Sequence, residues 1–179
     1  MGSRWTIEPA TPDSLPDILK IEEACFSAPW TRKMLEAELN GNPFAHFLLA
    51  RQEMRTESPR GAIVGYLCYW IVFEEIRLMN LAVIESMRHR GIARSLVSTA
   101  LQTGRVQSAN RAVLEVRASN LAAQALYRTF GFHQVAVRPR YYNSPAEDAV
   151  LMELDPIVVG SESRPIVCSD ERGGSKPLR

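Results

Sequence analysis

The stretch from Asn80 to Arg94, NLAVIESMRHRGIAR, joins the end of a predicted strand to the start of a predicted helix. The strand covers about residues 76–83, because apolar residues dominate there. The helix follows Gly91, because apolar residues then recur at spacings of three and four. This order of strand, turn and helix is typical of an α/β domain. The apolar positions of the helix are Ile92, Ala93, Leu96, Val97, Ala100 and Leu101.

The turn inside this stretch has the pattern R-x-x-G-x-A, from Arg88 to Ala93. Glycine lets a ligand approach the backbone closely, and the N–H groups at the start of a helix can point at an anion. Arg90 and Arg94 add positive charge to the partial charge of the helix end. The turn therefore predicts a phosphate site, although an ordinary basic connection with one glycine has the same pattern. It lacks both the Walker motif and the G-x-G-x-x-G dinucleotide motif.

A second informative stretch covers residues 114–127. Glu115 stands between two apolar residues in a strand that is predicted to be central, where an unpaired carboxylate is costly. It is therefore either functional, paired with Arg117, or at a solvent-facing edge position. Asn120 and Tyr127 are seven residues apart and so share one face of the following helix. Tyr127 on its own fits a core aromatic residue as well as a catalytic one.

The remaining elements follow from the same periodicities and from capping residues. Helices are predicted to begin at Thr11-Pro12 and at Thr31, the second with Met34, Leu35 and Leu39 on its inner side. Ser119 is predicted to cap a helix with apolar positions Ala122, Ala125, Leu126 and Phe130, and Gly131 is predicted to end it. The other predicted strands cover residues 5–8, 44–51, 63–73, 112–118, 133–138 and 149–154, with a polar hairpin loop at 52–60.

The chain suits one domain, residues 1–155, followed by a tail. It has 179 residues, and the 46% that are hydrophobic are enough for a substantial core. Residues 156–179 are rich in Ser, Gly, Pro and charged residues and contain few large apolar ones. This composition predicts a disordered appendage.

Charge and cysteine content narrow the class of protein. The formal net charge is +1, so no global field favours nucleic acid or an anionic membrane. Cys25, Cys68 and Cys168 lie far apart without a C-x-x-C spacing, which predicts neither a disulfide framework nor a metal site. No apolar run reaches the length that spans a membrane. A cytoplasmic protein that binds no membrane, metal or nucleic acid is expected.

Taken together, these motifs resemble the GNAT acetyltransferases and, more narrowly, the ribosomal-protein alanine N-acetyltransferases of the RimI type. The resemblance covers about Ile7 to Leu154 and implies a mixed, mostly antiparallel central sheet with helices on both faces. It is carried by the segments Asn80-Leu81-Ala82-Val83, Arg88 to Arg94, Leu114 to Asn120 and Ala125-Leu126-Tyr127. Pro29-Trp30, Gly131-Phe132, Arg138 to Tyr142 and Glu147-Asp148-Ala149 also match.

The resemblance also implies site residues and a reaction. Acetyl-coenzyme A would donate an acetyl group to the N-terminal α-amine of a protein, the alanine of small-subunit ribosomal protein S18. Glu115 would be the general base and Tyr127 the general acid. Backbone groups of Leu81, Ala82 and Val83 would hold the pantetheine arm and thioester, and Asn120 would contact the cofactor. The pyrophosphate would be held by His89, Arg90, Gly91, Ile92, Ala93 and Arg94.

Two other functions stay open from the sequence. A relative that acetylates a small-molecule amine would share the same cofactor motifs. A non-catalytic domain that binds acetyl-coenzyme A would share them too, but it would need neither Glu115 nor Tyr127. RNA binding by the basic and aromatic residues 138–142 is a weaker alternative, because such residues on a strand also suit a substrate-facing edge.

Overall fold

The computed structural model describes residues 4–53 and 61–158 and contains a seven-stranded sheet with four α-helices. The strands are β1 (Trp5–Pro9), β2 (Ala45–Gln52), β3 (Ile63–Val72), β4 (Glu75–Val83), β5 (Arg111–Arg117), β6 (His133–Asn143) and β7 (Ala146–Leu154). The helices are α1 (Leu15–Cys25), α2 (Arg32–Glu36), α3 (Ile92–Val106) and α4 (Leu121–Arg128). Short 3-10 turns at Pro12–Ser14 and Glu85–Met87 precede α1 and α3, and a π-helical turn at Ala37–Gly41 follows α2.

The strand order is β1-β2-β3-β4-β5-β7-β6, and β4 with β5 is its one parallel pair among the described residues. This confirms the predicted fold class of a mixed, mostly antiparallel sheet. The parallel pairing covers only four residue pairs, from Glu75 with Arg111 to Leu78 with Leu114. Met79 then interrupts the register of β4 with β3, because Leu78 lies opposite Tyr69 and Asn80 lies opposite Cys68. Beyond Leu78 the two strands separate, which leaves a gap in the middle of the sheet.

Two hydrophobic cores pack against the two faces of the sheet, as the predicted helices on both faces require. The larger core contains the inner side of α3 together with Leu114 and Val116 of β5 and Tyr127 of α4. The smaller core contains α1, Leu35 of α2, and residues of β2 and β3. Side chains alternate between the faces of a strand. Glu115, between Leu114 and Val116, therefore lies on the α1 face.

Three details differ from the sequence predictions. The cap of α4 is Asn120, not Ser119, because the Asn120 side chain accepts a hydrogen bond from the Ala123 N–H at 3.1 Å. Ala122 and Ala125 are exposed, whereas Gln124 and Tyr127 are buried, so the predicted inner face of this helix was wrong. Met34 on α2 is 48% exposed, and Leu35 alone is fully buried there.

The packed domain continues past residue 155. Ile157 is buried, and its backbone N–H donates to the Asn110 carbonyl at 2.7 Å. The predicted hairpin loop at 52–60 and the predicted tail lie mostly outside the described residues, since the description omits 54–60 and 159–179. Within the described ranges, no helix is long and apolar enough to cross a membrane. Those ranges also contain no cluster of three His, Cys, Asp or Glu side chains that could hold a metal ion.

Candidate active site

The gap between β4 and β5 exposes backbone groups of β4 that no strand pairs. The Ile84 N–H donates to the Val64 carbonyl of β3, so Ile84 and, by alternation, Ala82 point their backbone groups at β3. Leu81 and Val83 therefore point theirs into the gap. The Val83 carbonyl accepts from Arg88 Nε at 3.0 Å and from Cys25 Sγ at 3.7 Å. The strand thus offers a short row of polar backbone groups where the resemblance predicts a thioester.

The basic turn forms the start of α3. Gly91 has φ +88° and His89 has φ +59°, so the chain enters the helix through left-handed backbone positions. The first hydrogen bond of the helix runs from the Ser95 N–H to the Gly91 carbonyl at 2.9 Å. The N–H groups of Ile92, Ala93 and Arg94 therefore have no intrahelical partner, as at the start of any α-helix. These groups and the helix dipole fit an anion such as a pyrophosphate.

The arginines of the turn have different surroundings. Arg88 is tied to the Val83 carbonyl, and Arg90 Nη2 donates to the Ser86 carbonyl at 3.2 Å. Arg94 donates to Thr129 Oγ1 at 3.1 Å and lies over the Phe130 ring, which connects α3 to the end of α4. Asn120 caps α4 through its side-chain oxygen. The cofactor contacts predicted for Asn120 and for the arginines remain predictions.

Glu115 is half-buried and lies in a cluster of side chains from β6. Its Oε1 accepts from Arg138 Nη1 at 2.6 Å, and its Oε2 accepts from the Tyr141 hydroxyl at 3.1 Å. The Arg138 guanidinium also lies over the Tyr141 ring, 5.7 Å from its centroid. The ion pair considered from the sequence, Glu115 with Arg117, does not form. An open groove of about 220 Å³ runs beside Glu115, with Val135, Arg138 and Leu151 in its lining.

Tyr127 lies in the larger core, stacked obliquely on Phe132 at 5.7 Å between ring centroids. Burial, and secondarily the nearby Tyr142 phenol, raises the pKa of Tyr127 far above the ordinary tyrosine value. The hydroxyl therefore stays protonated at neutral pH. It makes no hydrogen bond to any residue that the structure describes, whereas every fully buried side-chain oxygen or nitrogen in those ranges has a partner. The hydroxyl oxygen therefore reaches a solvent-accessible space.

Glu115 and Tyr127 do not contact each other, because they belong to opposite faces of the sheet. Tyr142 of β6 connects their surroundings. Burial raises the pKa of Tyr142, and Tyr141 and Glu115 add to the rise, while Arg117 opposes it. The Arg117 guanidinium lies 4.1 Å from the Tyr142 ring centroid. Tyr142 thus raises the pKa of Tyr127, and its own pKa is raised in part by Glu115.

The turn between β6 and β7 is held by side chains of β5 and of the loop after α1. Arg117 donates to the carbonyls of Ser144 and Pro145 and pairs with Glu147 at 3.1 Å. Ser27, in the loop after α1, donates to the Ser144 carbonyl at 3.1 Å. The α1–α2 loop and the β6–β7 turn therefore meet on the Glu115 face of the sheet.

Glu74 and Glu75, an acidic pair that could line the acceptor groove for a basic peptide, lie at the far end of the parallel β4–β5 pairing from Glu115. Glu75 pairs in register with Arg111 at the opposite end of the parallel pair, and it bonds both Arg77 and Arg111. Its charge is therefore largely compensated, and Arg77 and Arg111, not Glu75, line the groove beside Glu115.

Sequence reasoning missed a buried carboxylate, Glu22 on α1, which is 0% exposed. Its Oε2 accepts from the Trp30 N–H at 2.6 Å, and its Oε1 accepts from the Tyr66 hydroxyl and from Asn80 Nδ2 at 2.8 Å. Burial raises the pKa of Glu22, against the lowering effect of these hydrogen bonds. A sequence signal existed, because Leu15, Ile18, Glu22 and Cys25 follow one helical stripe and only Glu22 is charged.

Known proteins share both the sequence pattern and the fold. The profile of the family described as "Acetyltransferase (GNAT) family" matches residues 15–132. The [ribosomal protein bS18]-alanine N-acetyltransferase of Escherichia coli (strain K12) is 30% identical over 151 residues, which are 83% of this chain and 96% of that protein. A Bacillus subtilis (strain 168) protein, whose name gives the same activity as provisional, is 32% identical over 140 residues, which are 78% of this chain and 88% of that protein.

A solved structure shows the same architecture. The crystal structure of the ribosomal-protein-S18-alanine N-acetyltransferase from Escherichia coli superposes with a TM-score of 0.74 at 26% sequence identity. The superposition covers 90% of this chain and 99% of that one. The chain therefore spans nearly the full length of the proteins it matches.

Proposed function

Because the chain belongs to the GNAT acetyltransferase family, we propose that it transfers the acetyl group of acetyl-coenzyme A to the α-amine of a protein N terminus. That it is an acetyl-coenzyme A-dependent N-acetyltransferase follows from the family and from its relatives. We propose that the acceptor is the N-terminal alanine of small-subunit ribosomal protein S18. The names of the relatives support this acceptor.

The observation that carries the proposal is the gap between β4 and β5. Backbone groups of Leu81 and Val83 that no strand pairs face this gap, and a carboxylate lies on one face of the sheet with a protonated phenol on the other. A binding module would need the phosphate turn but neither Glu115 nor Tyr127. The arrangement therefore favours an enzyme over the non-catalytic alternative.

The proposed roles divide between these groups. Glu115, directly or through a water, takes a proton from the amine as the nitrogen forms a bond to the acetyl carbon. The N–H groups of Leu81 and Val83 stabilise the oxygen that gains negative charge. Tyr127 gives its proton to the sulfur as the carbon–sulfur bond breaks. One proton is lost from nitrogen and one is gained by sulfur, and no enzyme side chain is acetylated.

Proton energetics favour an α-amine over a lysine side chain. Neutralising a lysine amine with a pKa near 10.4 at pH 7 costs about 4.6 kcal/mol, against about 1 kcal/mol for an α-amine with a pKa near 7.7. The Glu115 carboxylate already accepts hydrogen bonds from Arg138 and Tyr141, so it suits the deprotonation of an α-amine better than that of a lysine side chain.

A small-molecule amine is the second acceptor class. No contact among the described residues favours a small-molecule amine over a peptide. The proposed acetyl-coenzyme A site would be the same for both classes of acceptor. We further propose that the protein acts in the cytoplasm, where ribosomal proteins are made, and that it binds its substrate through peptide contacts and not through nucleic acid.

The test is mass spectrometry of peptides that differ only in their first residue, after incubation with the protein and acetyl-coenzyme A. We expect a mass gain of one acetyl group at the α-amine, fastest for the alanine-starting sequence of ribosomal protein S18. Acetylation of polyamines or aminosugars with no reaction on any peptide would overturn the proposed acceptor.

A further inference from the structure

Asn80 is a polar residue at the point where β4 leaves β5. It lies directly after the bulged Met79 and directly before Leu81, and it is half-buried. Its side chain bonds Glu22 and Tyr66, so it lies on the α1 face of the sheet. Glu115 lies on the same face, one position beyond the last β4–β5 pair on the other strand. Asn80 and Glu115 therefore flank the gap from its two sides.

The orientation of the Asn80 amide is fixed by its neighbours. Glu22 Oε1 accepts from Asn80 Nδ2 at 2.8 Å, and the Tyr66 oxygen accepts from the same nitrogen at 2.9 Å. The Tyr66 hydroxyl directs its own proton at Glu22 and is left with lone pairs toward Asn80. The amide nitrogen therefore faces Glu22 and Tyr66, and a flipped amide would set its oxygen against the Glu22 carboxylate.

The amide oxygen consequently turns away from Glu22 and Tyr66. It makes no hydrogen bond to any residue in ranges 4–53 and 61–158. Because fully buried side-chain oxygens and nitrogens in those ranges all have partners, this oxygen must be open to solvent. Tyr66 belongs to β3, on the side of β4 away from β5, so the amide nitrogen faces β3 and the oxygen faces away from it.

We propose that Asn80 is an acceptor-binding residue whose amide oxygen accepts a hydrogen bond from the substrate amine or from the water beside it, and that Glu22 and Tyr66 are positioning residues that hold this oxygen toward the gap. This inference rests on the proposed function. Glu22 does not touch the substrate, because it is completely buried.

The substrate amine of the proposed reaction has an N–H group that can donate a hydrogen bond to this oxygen. A neutral primary amine has two N–H bonds, and its nitrogen gains positive charge as the bond to the acetyl carbon forms. Glu115 takes one proton, and the Asn80 oxygen accepts the other N–H without removing its proton. A hydrogen bond to a group that becomes charged is stronger than one between neutral groups. Asn80 would therefore stabilise the transition state and aim the nitrogen lone pair.

The first experiment compares Asn80→Ala with the wild-type protein on an alanine-starting peptide. We expect kcat/KM for the peptide to fall about 10- to 100-fold, the worth of one hydrogen bond to a charged group. The Kd for acetyl-CoA, measured by calorimetry, should stay within about twofold, since the variant removes no cofactor contact. If Asn80→Ala does not fold, Asn80→Ser removes the same oxygen and keeps a donor for Glu22. Asn110→Ala is the matched control, because it removes an Asn–Glu hydrogen bond at the far end of the sheet.

The second experiment tests whether Glu22 acts through Asn80. In Glu22→Gln, the oxygen of the new side-chain amide can still accept from the Trp30 N–H. Its NH₂ group then faces Asn80, which favours the orientation of the Asn80 amide in which the Asn80 oxygen points at position 22. We expect kcat/KM for the peptide to fall several-fold in this variant. Because the loss passes through Asn80, Glu22→Gln combined with Asn80→Ala should be no slower than Asn80→Ala alone.

Two results would overturn the inference. One is a wild-type kcat/KM for Asn80→Ala, or for Asn80→Ser in its place. The other is a double variant whose loss equals the product of the two single losses, which is the outcome of a merely structural role for Glu22. An inactive wild-type protein on every peptide would instead overturn the proposed function, so the two failures are distinguishable.

Discussion

The proposed cofactor side of the gap (residues 88–94 and 120) and the proposed acceptor side (the Glu115 face) are built in different ways. On the cofactor side, the hydrogen-bond partners are close in sequence. Arg88 donates to a carbonyl five residues away, and Arg90 donates to a carbonyl four residues away. The Asn120 side chain accepts from an N–H three residues away. On the acceptor side, the partners are 23 residues apart for Glu115 with Arg138 and 117 residues apart for Ser27 with Ser144. Most contacts of the proposed phosphate turn are thus local, although Arg94 reaches Thr129, 35 residues away, whereas the contacts on the Glu115 face form only in the complete fold.

This difference makes the two sides separable by mutation. Changes in the β4–α3 turn should alter the affinity for acetyl-coenzyme A, and changes on the acceptor face should alter turnover of the peptide. The predictions below test that separation, beginning with the largest effect.

Removing either proposed proton-transfer group should give the largest loss. Glu115→Gln and Tyr127→Phe should each lower kcat by about 10²–10⁴-fold, the usual contribution of general acid–base catalysis. The Kd for acetyl-CoA should not change. Steady-state kinetics and calorimetry measure the two quantities. Glu153→Gln and Tyr69→Phe are matched controls, since Glu153 lines the same groove and Tyr69 lies in the same core as Tyr127. A variant of Glu115 or Tyr127 with wild-type turnover would exclude that residue from its role.

A side chain at position 91 should lower the affinity for acetyl-CoA without changing the acceptor side. Gly91 has φ +88°, and a Cβ there would meet only Trp5, at 3.9 Å, so the fold should survive Gly91→Val with local strain. We expect acetyl-CoA affinity to fall about 100-fold, because the strained turn would withdraw at least one or two charge-assisted hydrogen bonds. Gly131→Val is the control, since Gly131 has φ +96° outside this turn. Equal affinity losses in the two variants would argue against a phosphate site at Gly91.

The end of the domain can be located by truncation. Removing residues 159–179 should leave the free energy of unfolding unchanged, as their composition predicts. Removing residues 156–179 should lower it by about 2–3 kcal/mol, because Ile157 loses its burial and its hydrogen bond to Asn110. Urea unfolding followed by circular dichroism compares the two chains. Equal stability of both would show that Ile157 contributes nothing to the core.

The smallest effect is a pH dependence on the acceptor side. A hydrogen bond from the Ser119 N–H, together with Ser119 and Arg117 side-chain contacts, lowers the pKa of Glu147 in the folded protein. A carboxyl group with a lowered pKa contributes stability above its ordinary pKa, and that contribution disappears as the pH falls through the folded value. Glu147→Gln should therefore be slightly less stable than the wild-type protein at pH 7, and this difference should shrink as the pH falls below the ordinary carboxyl pKa. A stability difference that does not change with pH would contradict this account.

The same contrast explains how much the sequence could predict. The strand–turn–helix unit at 76–101 was predicted correctly, because apolar periodicity and one glycine specify it locally. The cap at Asn120 was missed because Ser119 has equal capping preference, and only the backbone path decides between them. The buried face of α4 was misassigned because Gln124 turns inward to donate to the carbonyls of Arg117 and Ala118, a contact that no hydrophobicity pattern reveals.

On the acceptor side, the sequence indicated which residue could act but not which residues would contact it. Glu115 was identified as unusual because it interrupts an apolar strand, but its partner Arg138 comes from a strand whose position in the sheet is set by β7. Glu22 and Asn80 are 58 residues apart, and neither was predicted to be functional. A charged residue on the apolar stripe of α1 was the available signal for Glu22.

The most direct test of the central claim, that the acceptor side takes a protein α-amine, is a competition between two basic peptides. One begins with a free alanine, and the other has the same sequence with a blocked α-amine and a free internal lysine. Mass spectrometry of the mixture after limited reaction with acetyl-coenzyme A gives the ratio of products. The account predicts acetylation of the free alanine, with the blocked peptide modified at least about 100-fold more slowly because of its higher amine pKa. Equal or faster acetylation of the blocked peptide would contradict the assignment of an N-terminal acceptor.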